Sequence, residues 1–291
     1  MKNISWPFFL AAFVLSTLSL NAFSTDVLAQ PPCYFDCGEI PPSNRVLYHV
    51  GQAKQTKLKP DEIRMLVWNI YKGGKSGFNS VFADLNKFIR PDIIVLEEAA
   101  LTDKILPALQ SLGDFGWELG ANFLLKSGIP TGPVIGSAVQ ATQVRFHRTE
   151  ETEPVVNTPK TTVIVEFPLE GSDETLLVAG IHGINFTNDL VFEKQLTEIA
   201  KHFQVHRGPV VFAGDFNIWN RTRLEMAMRI AEANGLLRAP WEEDGVDPIH
   251  YQLDDAYTRG VTMETAQVWS EGVKDVGSDH PALFLKFSIT R

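Results

Sequence analysis

Five short segments of this 291-residue chain place chemistry-bearing side chains directly after apolar runs: Trp68-Asn69-Ile70, Leu96-Glu97-Glu98, Ile181-His182-Gly183, Gly214-Asp215-Phe216-Asn217 and Ser278-Asp279-His280. An apolar run that ends in a polar residue is a buried strand meeting a loop, where a rigid scaffold offers side chains to a cleft. Singly, each segment has an ordinary explanation: an Asx turn for Gly-Asp-Phe-Asn, a satisfied core histidine for His182, a solvated helix start for Glu98. Together they make chemical sense. Glu98, Asp215 and Asp279 are hard oxygen donors suited to Mg2+, Mn2+ or Ca2+ rather than zinc. His182 and His280 offer an acid and a base for displacement at phosphorus. Asn69 and Asn217 are neutral donors for phosphoryl oxygens. Asp254, after Leu253 in a strand, is placed to orient His280 and stabilise its imidazolium form.

The elements that must hold these residues alternate along the chain. Residues 63–70 read as a mostly apolar strand. Phe82, Leu85 and Ile89 share one face of a helix over 79–90 that Pro91 ends. A short buried strand is expected at 93–96 and a second helix over 101–112. Further strands are expected near 117–125, 134–140, 161–167 and 175–182. Asn188 caps a helix whose Phe192, Leu196, Ile199 and Phe203 recur every three or four residues. A strand over 210–213, a helix over 221–234 ending at Gly235, and strands near 252–258, 264–269 and 282–288 complete the chain. No internal repeat or linker interrupts residues 61–291, which read as one domain mixing helices and strands.

The N-terminus stands apart. Lys2 precedes the uncharged run Trp6–Leu20, shorter than the roughly 20 apolar residues of a spanning helix. Val27-Leu28-Ala29 offers a cleavage site before Gln30, so residues 1–29 are expected to be a signal peptide and the protein to be secreted or periplasmic. Thr25 is the alternative first residue, after Ala22-Phe23-Ser24. No integral membrane segment is then left after processing, and a monomer is expected. In an oxidising compartment the only two cysteines, Cys33 and Cys37, can pair. So small a loop would pin the N-terminus rather than stabilise the core. Residues 30–60 are Pro-rich and polar and read as an N-terminal arm. A composition 44% hydrophobic and 21% charged excludes disorder and a polytopic membrane protein. A net charge of −9 argues against duplex binding through a basic face, although one bound divalent cation can dominate the field at a cleft.

At these residues the chain resembles the endonuclease/exonuclease/phosphatase superfamily, the deoxyribonuclease I-like fold, from about Ile63 to Phe287. The likeness lies in the order of Val67-Trp68-Asn69, Pro91-Asp92-Ile93-Ile94-Val95-Leu96-Glu97-Glu98, His182, Gly214-Asp215-Phe216-Asn217 and Ser278-Asp279-His280. The stretches 68–72 and 182–186 look most like its bacterial YafD-like branch. The resemblance implies an α+β fold: a four-layer α/β/β/α sandwich of two mainly antiparallel sheets packed face to face, with helices outside. It implies Glu98 as principal metal ligand, with Asn69 and Asp279 near a Mg2+ or Mn2+ ion, Ca2+ being an alternative. It implies His280 as general base, or else as the phosphate-polarising histidine, with Asp254 as its partner. Asp215 and Asn217 would position the water and the phosphate, and His182 looks like the second histidine of the deoxyribonuclease and sphingomyelinase branches.

The chain also departs from the family pattern. Gly136–Thr142 stands in place of a Gly-x-x-x-x-Ser-Arg strand, Asp255-Ala256-Tyr257 follows Asp254, and Pro281 comes one residue early. Tyr71 occupies the place of an Asp of abasic-site nucleases, and Trp219 that of an Arg of inositol phosphatases. What remains is a secreted metal-dependent phosphodiesterase, first a nuclease acting on DNA or RNA, with a sphingomyelinase-like phospholipid phosphodiesterase or a phosphatase as the alternative. Lys72, Asn185, Trp219 and Arg221 are the residues expected to meet the substrate. A decayed binding module is disfavoured, because Glu98, Asp215, Asn217, Asp254, Asp279 and His280 are all intact.

Overall fold

In the computed structural model, which describes residues 36–154, 156–242 and 253–290, regular structure starts earlier than periodicity predicts. The expected arm over 30–60 contributes β1 (Cys37–Glu39) and β2 (Leu47–Gly51), both paired to later strands. β2 alternates exposed and half-buried residues at a sheet margin, so backbone pairing rather than an apolar stripe holds it. A hydrophobic pattern could not reveal it. The expected signal peptide over 1–29 and Cys33 lie outside the described residues. Cys37 is disulfide-bonded.

The chain continues through β3 (Ile63–Asn69), α1 (Phe78–Ile89), β4 (Ile93–Ala100), α2 (Ile105–Gln110), β5 (Gly116–Gly120), β6 (Phe123–Leu125), β7 (Pro130–Ser137), β8 (Gln143–Arg148), β9 (Thr161–Pro168), β10 (Thr175–His182), α3 (Asp189–Val205), β11 (Val210–Asp215), α4 (Arg221–Ala233), β12 (Leu237–Arg238), β13 (Asp254–Arg259), β14 (Val261–Trp269) and β15 (Ala282–Ile289). The expected caps hold: the Asn188 side chain accepts from Val191 N–H, and α1 ends at Arg90 in the left-handed region, before Pro91. The second helix is shorter than expected. Thr102 Oγ1 accepts the Ile105 N–H, and Pro107 is tolerated because it falls in the first turn. β8 had no expected counterpart, since this edge strand buries none of its residues.

Nine strands form one sheet in the order β1-β6-β7-β4-β3-β15-β14, with β5 on β7 and β2 on β5; six form the other, β12-β13-β11-β10-β9-β8. Pairing is antiparallel except at β3–β4 and β10–β11. Three apolar clusters define four layers. Met65, Val67, Val95, Val165, Val178, Val211 and Leu285 meet between the sheets. Leu66, Trp68, Ile94 and Leu96 face Phe78, Phe82, Leu85 and Ile105 of α1 and α2. Leu177, Ala179 and Phe212 face Phe192, Leu196, Ile199 and Ile230 of α3 and α4. Alternate residues of one strand thus serve different layers, the period-two rule of a strand buried on both faces. This is the expected α/β/β/α sandwich.

Candidate active site

Register alone brings the five segments to one end of the sandwich. In the parallel pair β3–β4, Asn69 lies opposite Glu97; in the parallel pair β10–β11, His182 lies opposite Asp215. β13 runs antiparallel to β11 and sets Asp254 against Asp215. β15 pairs Ala282 with Trp68, so His280 arrives at that same end. Ser278 Oγ donates to the Asn69 carbonyl at 2.6 Å, and Trp68 Nε1 donates to the His280 carbonyl at 3.2 Å, fixing the last segment to the first.

The loops at this end carry backbone strain. Tyr71, Lys72, Glu98, Phe186 and Asn217 all have φ between 48° and 56°, a region non-glycine residues enter at a cost of about 1–3 kcal/mol each. At Glu98 the cause is a bulge: β4 slips against β7 between Leu96 and Ala99. Ile93, Val95 and Glu97 point between the sheets, and the bulge turns Glu98 out towards the cleft. Glu97 is fully buried, with neither carboxyl oxygen hydrogen-bonded. Gly214, at φ 141°, makes the room: a Cβ there would lie 2.6 Å from Glu97 Oε1 and 2.2 Å from the Ile181 carbonyl.

Asp215 is the hub. Its Oδ2 accepts from Asn69 Nδ2 at 2.9 Å and its Oδ1 from the Asn217 N–H at 2.8 Å. The same Oδ2 lies 3.6 Å from His182 Nε2 and 4.0 Å from His280 Nε2. Burial, then the neighbouring Asp254 carboxylate, push the Asp215 carboxyl up to about 7. His280 Nδ1 meets Asp254 Oδ2 at 2.8 Å. Burial opposes charge on that imidazole, but Asp254 outweighs it, and the pKa is pushed up to about 10. At His182 burial and the Lys160 ammonium act together and hold the ring well below the usual imidazole range. Burial, then Asp254 and Asp215, raise the Glu97 carboxyl well above its ordinary value. Glu98 goes the other way, to about 2: burial opposes this, and His182, Lys72 and Lys160 across the cleft overcome it. With His182 itself kept neutral, the two ammonium groups carry that effect.

The expected substrate residues fare unequally. Lys72 Nζ sits 2.6 Å from Glu98 Oε2. Asn185 Nδ2 donates to Asn217 Oδ1 at 2.8 Å, joining two of the loops. Trp219 stands 49% exposed on the loop after β11. Arg221 lies on the exposed face of α4, paired with Glu225 one turn on. Arg223, two residues on, turns inward. Fully buried, its Nη1 donates to the Ile184 carbonyl at 2.9 Å and the Asn217 carbonyl at 3.3 Å, and its guanidinium lies over the Phe192 and Trp219 rings. Sequence reasoning also passed over Glu97, Glu153 and Lys160. The alternation Ile93, Val95, Glu97 could have flagged Glu97; the other two belong to no pattern.

The donors suit a hard cation. Glu98 and Asp279 offer carboxylate oxygens, Asn69 offers the amide Oδ1 that accepts the Tyr71 N–H while its Nδ2 holds Asp215, and Glu98 already carries a cation in Lys72. Asp254 Oδ1 and both Glu97 oxygens are buried without partners. Among the described residues, Asp215, Asp254 and His280 form the one acid and histidine group whose ligand atoms lie within 4.8 Å of one another. With His280 Nδ1 already on Asp254, that trio reads first as a hydrogen-bonded relay.

Residues 66–280 match the model of the endonuclease/exonuclease/phosphatase family. A UPF0294 protein of Klebsiella pneumoniae is 30% identical over 237 residues, 80% of this chain and 85% of that protein. The endonuclease/exonuclease/phosphatase of Beutenbergia cavernae superposes with a TM-score of 0.61 at 17% identity, over 79% of this chain and 72% of that one. The human Nocturnin catalytic domain, solved with a bound sulfate anion, gives 0.61 at 20% identity, over 86% of this chain and all (100%) of that one.

Proposed function

This chain belongs to the endonuclease/exonuclease/phosphatase family, and on that premise we propose that it is a secreted, divalent-metal-dependent phosphodiesterase that cleaves nucleic acid by water attack at phosphorus. The observation that carries the reading is the Asp215 carboxylate, held by two N–H donors within 4.0 Å of the His280 imidazole while Asp254 binds the far side of that ring. Glu98, Asn69 and Asp279 would hold Mg2+ or Mn2+, which when bound acts as a Lewis acid on a phosphoryl oxygen. His280, an imidazolium at neutral pH, cannot take a proton from water. Of its two expected roles the phosphate-polarising one therefore follows, and general-base duty passes to Asp215, whose pKa near 7 matches the task. The water oxygen bonds to phosphorus, its proton goes to the Asp215 carboxylate, and the opposite P–O bond breaks, its electron pair leaving with an oxygen that takes a proton from solvent.

Exposed aromatic side chains around the cleft support nucleic acid as the substrate. Tyr71, Phe186 and Trp219 are 45%, 67% and 49% exposed on the loops after β3, β10 and β11. Arg223 ties the last two loops together, bonding the Ile184 and Thr187 carbonyls of one and the Asn217 carbonyl of the other. Held faces of this kind stack on unpaired bases for about 1–3 kcal/mol per base. The disulfide at Cys37 supports an oxidising, extracytoplasmic destination.

The test sets purified mature protein against plasmid DNA, RNA, sphingomyelin vesicles and bis-p-nitrophenyl phosphate. EDTA should abolish hydrolysis, Mg2+ or Mn2+ should restore it, and Glu98→Gln should remove most of it while the protein stays folded. Full activity in excess chelator overturns the metal reading. Hydrolysis of sphingomyelin with none of nucleic acid would replace the nuclease by a lipid enzyme. N-terminal sequencing of the exported protein should begin at Gln30, and Met1 on membrane-extracted protein would overturn secretion.

A further inference from the structure

Lys160 is the one lysine buried among the described residues, 8% exposed. It immediately precedes β9, and two backbone ties to Thr149 fix it: its N–H donates to Thr149 Oγ1 at 3.0 Å, and its carbonyl accepts the Thr149 N–H at 2.9 Å. Its Nζ lies 3.1 Å from His182 Nε2 and 3.3 Å from Glu153 Oε1. That same Glu153 oxygen also accepts the Asn185 N–H at 2.9 Å, so the carboxylate is anchored to a loop of the site. Burying an ammonium is costly unless it is paired, and Glu153 answers that need. A pair serving stability alone would need no further contact with an active-site histidine.

The contact changes what His182 can do. Its Nε2 accepts a hydrogen bond from Lys160 and is therefore committed, while Nδ1 is buried without a partner. The acid or base duty expected of His182 has no free atom on the cleft side. An ammonium, by contrast, has three N–H donors. His182 and Glu153 take two, and the third is left for the cleft, beside the His182 Nε2 that itself stands 3.6 Å from Asp215 Oδ2.

We propose that Lys160, rather than His182, is the residue that meets the scissile phosphoryl group on this side of the cleft, with His182 and Glu153 as the positioning residues that hold its ammonium. The inference rests on the phosphodiesterase reading and adds to it a fixed cation that transfers no proton. As water adds to phosphorus, negative charge builds on the equatorial oxygens, and a preorganised N–H donor there contributes about 10²–10³ in turnover.

The test compares Lys160→Met, Lys160→Arg, Glu153→Gln and the double variant Lys160→Met/Glu153→Gln, which leaves no unbalanced buried charge. Turnover of bis-p-nitrophenyl phosphate is measured with Mg2+ or Mn2+, binding of inorganic phosphate by calorimetry, and folding by circular dichroism. Lys160→Met and the double variant should lose about 10²–10³ in kcat with little change in KM, and should lose phosphate binding. Glu153→Gln, which leaves the ammonium in place but less firmly held, should lose only part of kcat and lower the Tm, and Lys160→Arg should recover part. Equal losses in Lys160→Met and Glu153→Gln, accompanied by a lowered Tm, would make the pair structural and overturn the proposal; so would wild-type turnover in the folded double variant. If the wild type hydrolyses no phosphodiester, the enzymatic reading fails on its own, and the calorimetry still decides: phosphate binding that survives Lys160→Met removes the cation from the site.

Discussion

On either side of one Asp215 oxygen stands an imidazole, His182 Nε2 at 3.6 Å and His280 Nε2 at 4.0 Å. His182 is buried and His280 partly so, which by itself disfavours charge on each. They nevertheless end in opposite states. His280 has the Asp254 carboxylate 2.8 Å from its other nitrogen, and against burial its pKa rises to about 10. His182 has the Lys160 ammonium at 3.1 Å, and burial together with that charge drives its pKa far down. Residue type and shared neighbour are the same on the two sides. The further partner decides which histidine is a cation and which is a neutral prop.

The comparison is tested hardest at His280. His280→Ala should lower kcat/KM by about 10²–10⁴, Asp254→Asn by less, and His182→Asn by least. With His280 gone, removing Asp254 should add little, because residues that act as a unit are grossly non-additive. A double-mutant cycle on one phosphodiester substrate checks this, and strictly additive losses would separate the pair.

A smaller effect concerns what holds the His182 side together. Arg223→Met leaves the Ile184, Thr187 and Asn217 carbonyls short of a donor inside the protein, and should cost about 3 kcal/mol of stability in denaturant titration. An unchanged unfolding midpoint would mean that the two loops do not depend on this arginine.

The charge states themselves show in the pH dependence of the metal-free protein. The His280 pKa is higher in the folded chain than its ordinary 6.5, so its stabilising contribution is complete below about pH 6.5 and is lost as pH rises through about 10. Tm should fall across that window, and His280→Asn should flatten the fall. His182 has the opposite sign: its folded pKa is lowered, so its contribution is present above about 6.5 and is lost on acidification. His182→Asn should therefore reduce the acid-side loss of stability. Equal slopes for wild type and both variants would erase the distinction. The smallest effect is Arg221→Ala, which removes an exposed helix pair with Glu225 and should stay within about 0.5 kcal/mol of wild-type stability with activity retained.

The amino-acid order by itself determined the alternation of strands and helices from Ile63 onward, the Asn188 cap and the ordered set Asn69, Glu98, His182, Asp215, Asn217, Asp254, Asp279 and His280. These are local signals: apolar period, capping chemistry, and polar residues at strand ends. β1, β2 and β8 stayed hidden because edge strands are held by backbone pairing and expose much of their side-chain surface. Arg221 and Arg223 are indistinguishable as sequence, and only the packing of α4 on the sheet decided which turns inward. Whether Glu97 or Glu98 faces the cleft was settled by a bulge in β4 that no residue type announces. The charge of each histidine required tertiary structure most of all. Lys160 comes 22 residues before His182 and Asp254 comes 26 before His280. Strand register carries each partner to its imidazole, and electrostatic energy depends on distance in space and on exclusion of water, neither of which the linear chain expresses.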